Sequence, residues 1–137
     1  MVVKHDNKIV VRAIIIEKNG KVLLGKRQEE SGRNQYAIIG GEPHKNENPE
    51  HTIIREVKEE TGLIFENPIF WKEIVDKKSI PGEIWRILFF YGQASGKLKF
   101  QDEEITDVIY VSKKDLSSID VAFNHREVLT QFFNEIV

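Results

Sequence analysis

The chain has 137 residues, of which 40% are hydrophobic and 31% are charged, and its formal net charge is −2 at pH 7. This length suits one domain with a substantial core, so we expect a single domain over residues 1–137. No run of 18 apolar residues occurs and the 20 basic residues form no stripe, so we expect neither a membrane nor a long nucleic acid as partner. Cysteine is absent and residues 1–7 lack an apolar secretion signal, so we expect a cytoplasmic protein without disulfides.

The first third of the sequence predicts short strands joined by turns. Residues 8–17 are rich in β-branched side chains and predict a strand. Asn19-Gly20 is a strong hairpin signal, so residues 22–24 are predicted to return as its partner strand. A polar loop then leads to a short apolar segment, 36–39, which ends at Gly40-Gly41.

A well-delimited helix is predicted over residues 49–61. Asn48 is a good N-cap, Pro49 suits the first helical position, and Gly62 suits a left-handed C-cap. Further strands are predicted over 63–75, 83–93 and 107–111, a short helical turn over 112–116, and a helix over 124–136. Because strands and helices are mixed without strict alternation, we expect an α/β fold with a curved mixed β-sheet and helices on both faces.

The central helix carries an acidic face. Glu56, Glu59 and Glu60 lie at i, i+3 and i+4, which places three carboxylates within one turn. Converging carboxylates suit a hard cation such as Mg²⁺, and the lack of a His–Cys set argues against zinc. The alternative is an ordinary solvated face, which is what an acidic run usually is.

The spacing of residues 41–63 decides between these two interpretations. They read G-x5-E-x7-R-E-V-x-E-E-x-G-L, which resembles the signature of the Nudix hydrolase family at every fixed position. At about 7% per position, seven positions that demand one residue type match by chance on the order of 10⁻⁸ per starting point. The resemblance implies a small MutT-type member with a Nudix-like α/β/α sandwich, and Mg²⁺-dependent hydrolysis of a diphosphate linkage, with Mn²⁺ as a substitute.

The resemblance also implies roles for residues of the signature. Its carboxylates and first glycine would surround the metal ion, namely Gly41, Glu56, Glu59 and Glu60. Glu56 would act as a ligand or as the base that takes a proton from water. Arg55 and Glu47 would orient the carboxylates, so the implied catalytic set is Glu56, Glu59, Arg55 and Glu47.

Four residues outside the signature are further candidates. Some family members use an outside glutamate as base, and Glu103 and Glu104 lie in the loop before the 107–111 strand, although a solvated polar turn is the plain alternative. Arg27 and Asn34 resemble substrate-contacting positions of MutT-type enzymes. Their plain alternatives are a surface charge at a strand end and a turn residue.

The substrate is the least determined feature. The downstream marks of the NADH, ADP-ribose and dinucleoside polyphosphate subgroups are not found, which favours a nucleoside triphosphate as the small nucleotide-type substrate. An ADP-ribose or nucleotide-sugar pyrophosphatase, a catalytically silent nucleotide sensor and an RNA 5′-end enzyme stay open as alternatives. The intact glutamates argue against the sensor, and the missing basic stripe argues against RNA. Many relatives form homodimers, but the sequence locates no interface.

Overall fold

The structure is a computed structural model that describes residues 8–100 and 104–137. In these residues the strands are β1 (Lys8–Ile15), β2 (Val22–Arg27), β3 (Tyr36–Ala37), β4 (Ile39–Gly41), β5 (Ile64–Asp76), β6 (Trp85–Ser95) and β7 (Ile105–Val111). The helices are α1 (Pro49–Thr61) and α2 (His125–Glu135), with a 3₁₀ helix at Lys114–Ser118. The predicted bounds of α1 are therefore confirmed at both ends. No helix in the described parts of the chain is long and apolar enough to cross a membrane.

The strands form two sheets rather than the one expected. In the four-stranded sheet, β1 is antiparallel to β4 and parallel to β6, and β5 pairs antiparallel with the far edge of β6. In the three-stranded sheet, β2 is antiparallel to both β3 and β7. The α/β class with mixed pairing is thus confirmed, and the division into two sheets leaves room for a cleft between them.

The Asn19-Gly20 turn does not form the predicted hairpin. The turn closes through Glu17 N, which donates to Lys21 O at 2.8 Å, and a single bridge joins Ile16 to Val22. Beyond that bridge the two strands separate into different sheets. Because β4 and β6 already occupy both edges of β1, β2 finds its hydrogen bonds on β3 and β7 instead.

Two hydrophobic clusters lie on opposite faces of β1, since successive side chains of a strand alternate between its faces. Val11, Ala13 and Ile15 belong to the cluster that α1 covers with Ile53 and Val57. Val10 and Ile14 belong to the cluster that α2 covers through buried side chains at Val128, Leu129, Phe132 and Phe133. The expected helix on each side of the sheet is therefore confirmed.

Candidate functional site

Caps at both ends fix where α1 begins and ends. Asn48 accepts a hydrogen bond from His51 N at 2.8 Å, and Gly62 adopts a left-handed φ of 79° while its N–H donates to Lys58 O. With Ile53 and Val57 fully buried, the helix turns its glutamates toward β4 and the cleft.

The double glycine of β4 lets the strand pass between a carboxylate and an arginine. A Cβ at Gly41 would lie 2.2 Å from Glu56 Cδ, so any larger residue would displace that carboxylate. A Cβ at Gly40 would lie 2.1 Å from Val11 O and 2.8 Å from Arg12 Cδ. Gly41 therefore leaves space for the Glu56 carboxylate, and its place beside a metal ion stays a prediction.

Arg55 and Glu47 form a bidentate ion pair. Arg55 Nε donates to Glu47 Oε2 at 2.8 Å, and Nη2 donates to Oε1 at 2.9 Å. Thr52 Oγ1 and His44 N also donate to Glu47 Oε1, at 2.8 and 3.0 Å. The bonds from Arg55 and His44 hold the pKa of Glu47 well below its ordinary value, so this carboxylate is charged. Thr52 was not singled out from the sequence.

The remaining donors of Arg55 reach the acidic face. Nη1 donates to Glu56 Oε1 at 2.8 Å and to Glu59 Oε2 at 3.1 Å. Burial raises the pKa of Glu56 despite the attraction of Arg55. Glu59 has 49% of its side chain exposed and is the outermost of the three carboxylates. Arg55 thus links the loop glutamate to two glutamates of the helix.

Glu60 is the buried member of the face. Glu60 is 4% exposed, and its Oε2 atom has no hydrogen-bond partner among the described residues. Burial raises its pKa well above the ordinary value, the charge of Glu56 and a hydrogen bond with Glu104 act in the same direction, and Arg12 opposes them. Without a cation such a carboxyl group keeps its proton, and a bound cation would favour the ionised form of Glu60.

The donor set fits a hard cation. Glu56, Glu59 and Glu60 offer only oxygen, which suits Mg²⁺ or Mn²⁺. Within the two described segments, no group of three His, Asp or Glu side chains converges into a ready-made metal site. Arg55 holds Glu56 and Glu59, so these carboxylates would have to exchange a guanidinium contact for the metal.

Of the two outside glutamates, the structure brings Glu104 to the signature. Glu104 lines the same cleft as the three helix glutamates, and its side chain hydrogen-bonds with Glu60. Its backbone carbonyl accepts from Gln28 N at 3.0 Å, which ties the residue to the end of β2. Glu103 lies outside the described residues.

The two predicted substrate contacts lie in different places. Arg27 is 8% exposed in the cleft wall, where its Nε donates to Ser31 O at 2.9 Å and its Nη2 to Glu29 Oε2 at 2.8 Å. Asn34 has a φ of 67° in the following turn and accepts from Gln28 Nε2 at 3.3 Å. The described lining of the cleft does not include Asn34, so a substrate contact by this turn residue stays a prediction.

The cleft has a volume of about 580 Å³ and extends well beyond the glutamates. Its lining also includes Arg12 and the apolar side chains of Ile80, Trp85 and Phe123, and the Arg12 guanidinium lies 5.9 Å from the centre of the Phe123 ring. Phe123 has a φ of 54°, which is unusual for an aromatic residue and typical of functional positions. His125, fully buried in the same wall, accepts from Ile38 N at 3.1 Å.

Sequence reasoning missed Arg12, Phe123 and His125. A charged residue inside the apolar run 9–16 was the available signal for Arg12. Phe123 and His125 carried no comparable signal, because they reach the cleft only through the return of the chain before α2.

Comparison with known proteins gives consistent matches. A family model described as a NUDIX domain matches residues 6–132. The ADP-ribose pyrophosphatase of Methanocaldococcus jannaschii is 31% identical over 124 residues, which cover 86% of this chain and 69% of that protein.

Two solved structures share the fold at lower identity. The NUDIX domain of Shewanella oneidensis NrtR, complexed with ADP ribose, superposes with a TM-score of 0.84 at 18% identity, covering 96% of this chain and 89% of that one. The MutT protein from Methanosarcina mazei Go1 gives a TM-score of 0.82 at 20% identity, covering 98% of both chains. With the family model spanning most of its length, the chain belongs to the Nudix family of pyrophosphohydrolases, which use a divalent cation to cleave nucleotide diphosphate derivatives.

Proposed function

We propose that this enzyme hydrolyses the diphosphate of ADP-ribose or a related nucleoside diphosphate sugar. The observation that carries the substrate class is the 31% identity to an ADP-ribose pyrophosphatase over 86% of this chain. This preference replaces the nucleoside triphosphate favoured by the sequence, which rested on missing subgroup marks. A cleft of about 580 Å³ whose lining includes Ile80, Trp85 and Phe123 as well as the glutamates has room for a nucleoside beside the diphosphate.

The catalytic centre in this proposal is the acidic face of α1. Glu56, Glu59 and Glu60 would hold Mg²⁺, with Mn²⁺ as a substitute, close to Gly41. When bound, the cation neutralises phosphate oxygens and lowers the pKa of water. Arg55, fixed by its two bonds to Glu47, keeps Glu56 and Glu59 in place.

A carboxylate must also take the proton of the attacking water. We assign this role to Glu104, because its side chain reaches Glu60 from the loop before β7 and it is not one of the three proposed metal ligands. Glu56 is the alternative base within the signature.

A nucleoside triphosphate is the second candidate substrate. It is favoured by the two guanidiniums that line the cleft together, those of Arg12 and Arg27, since a third phosphate brings additional negative charge. In this version Arg27 would have to release Glu29 to contact the substrate.

The test is product analysis across a substrate panel with Mg²⁺. ADP-ribose, other nucleoside diphosphate sugars, dinucleoside polyphosphates and nucleoside triphosphates are incubated with the wild type at equal concentration. The proposal predicts AMP and ribose 5-phosphate from ADP-ribose as the preferred reaction. Preferred release of pyrophosphate from a triphosphate would select the second candidate, and nucleotide binding without any product would indicate a sensor.

A further inference from the structure

Arg12 interrupts the apolar sequence of β1. It occupies the position between Val10 and Ile14 that faces α2, and it pairs in register with Gly40 on one side and Phe89 on the other. An arginine in the central strand of a sheet is costly to bury unless its donors are used.

Protein acceptors use only part of this guanidinium. Arg12 Nη1 donates to Ile38 O at 2.8 Å, and the group lies 5.9 Å from the centre of the Phe123 ring. Arg12 Nε is buried and has no hydrogen-bond partner in the described parts of the chain. A buried donor without an acceptor is costly, so its position beside a cleft points to an acceptor that a ligand supplies.

Arg27 offers a contrast within the same cleft. It stacks more closely on Phe123, at 4.7 Å, but Nε and Nη2 are bonded to Ser31 and Glu29. The hydrogen bonds of Arg27 therefore hold the loop after β2 in place. Of these two guanidiniums, that of Arg12 has the buried donor still to be satisfied.

The location of Arg12 relative to the metal-binding glutamates suggests what the ligand is. β4 runs between them, with Gly40 against Arg12 Cδ and Gly41 against Glu56 Cδ. A diphosphate laid over the two glycines would meet the carboxylate-held cation on one side and the guanidinium on the other. A guanidinium is well suited to phosphate oxygens, because its donors form charge-assisted hydrogen bonds.

We propose that Arg12 binds an anionic oxygen of the substrate diphosphate on the side of β4 opposite Glu56. This inference rests on the proposed function, which it deepens by naming the protein group that recognises the phosphate. It makes Arg12 a determinant of substrate affinity.

Steady-state kinetics of Arg12→Met and Arg12→Lys test the proposal. Losing a charged hydrogen bond to phosphate should raise KM for the cleaved substrate about tenfold to a hundredfold, with kcat within about threefold of the wild type. Arg12→Lys keeps the charge and should fall between. Arg33→Met removes an exposed guanidinium outside the cleft and should leave both constants unchanged. An unchanged KM in Arg12→Met would overturn the proposal.

A binding measurement separates this role from a structural one. By calorimetry, wild-type protein should bind AMP about tenfold or more tightly than adenosine, and Arg12→Met should lose that preference while remaining folded. If Arg12 only balances the charge of buried Glu60, the variant would instead shift the Mg²⁺ dependence and keep the preference, which would refute the proposal. Because the AMP measurement needs no turnover, it stands even if the proposed hydrolysis is wrong.

Discussion

Arg55 donates a hydrogen bond to each carboxylate oxygen of Glu47, from Nε to Oε2 at 2.8 Å and from Nη2 to Oε1 at 2.9 Å. The same guanidinium reaches Glu56 and Glu59 through Nη1. One side chain therefore transmits the position of the loop before α1 to two carboxylates of the proposed metal site.

Replacing Glu47 by Gln should loosen this arrangement. Without the charge of Glu47, Arg55 would pair more strongly with Glu56 and Glu59 and compete with the cation. We expect kcat/KM to fall about tenfold to a hundredfold, as is typical when a group that orients metal ligands is lost. Activity measured against Mg²⁺ concentration checks this, and the variant should need more Mg²⁺. An unaltered Mg²⁺ dependence would contradict the role of Glu47.

The two glycines of β4 should respond differently to alanine. At Gly40 the added Cβ meets the Val11 carbonyl at 2.1 Å, and backbone cannot move easily, so Gly40→Ala should destabilise by about 1–3 kcal/mol. At Gly41 it meets the end of the Glu56 side chain, which can swing away, so Gly41→Ala should mainly lose activity. Thermal unfolding and turnover of both variants give the comparison. Equal losses of stability would contradict it.

Glu104→Gln tests the assignment of the base. Loss of a general base lowers kcat by about 10²- to 10⁴-fold, and here the Mg²⁺ requirement should stay close to that of the wild type. Glu66→Gln, on an exposed position of β5, is the control and should have full activity. A kcat of Glu104→Gln equal to that of the wild type would contradict the assignment of Glu104 as the base.

Acid should destabilise the fold through His125. Burial lowers the pKa of this imidazole well below its ordinary value, and the charges of Arg12 and Arg27 lower it further. The contribution of neutral His125 to the free energy of unfolding is fully present above the pKa of about 6.5 in the unfolded chain. Below that pH, His125 binds a proton in the unfolded chain but not in the folded one. Stability should therefore fall by up to about 1.4 kcal/mol per pH unit on acidification.

His125→Asn provides the matched control, since its side-chain oxygen can still accept from Ile38 N and does not titrate. The difference in unfolding temperature between wild type and variant, followed from pH 7.5 to 5, should move in favour of the variant. If the unfolding temperatures of wild type and variant changed equally with pH, His125 would have the same pKa in the folded and the unfolded chain, which would contradict this prediction.

Short-range sequence signals predicted α1, because its ends and its faces depend on residues close together in the chain. The caps at Asn48 and Gly62 gave α1 its correct ends, and its periodicity showed that Glu56, Glu59 and Glu60 share a face. The Asn19-Gly20 signal failed because strand partners are chosen by the whole sheet: β4 and β6 take both edges of β1.

The distant wall of the cleft was beyond sequence reasoning for the same reason. Arg12, Phe123 and His125 come from opposite ends of the chain, and only the packing of α2 against the sheet brings them together. Arg27 was correctly placed near the cleft, but the bonds to Ser31 and Glu29 that occupy its donors depend on the folded loop.

Turnover of ADP-ribose by Glu59→Gln, compared with Glu50→Gln, tests the central claim most directly. Both glutamates are exposed on α1, but only Glu59 belongs to the proposed metal-binding face. With Mg²⁺ present, we predict that Glu59→Gln loses at least about a hundredfold in kcat/KM while Glu50→Gln matches the wild type. Equal activity of the two variants would contradict the assignment of the metal site to this face.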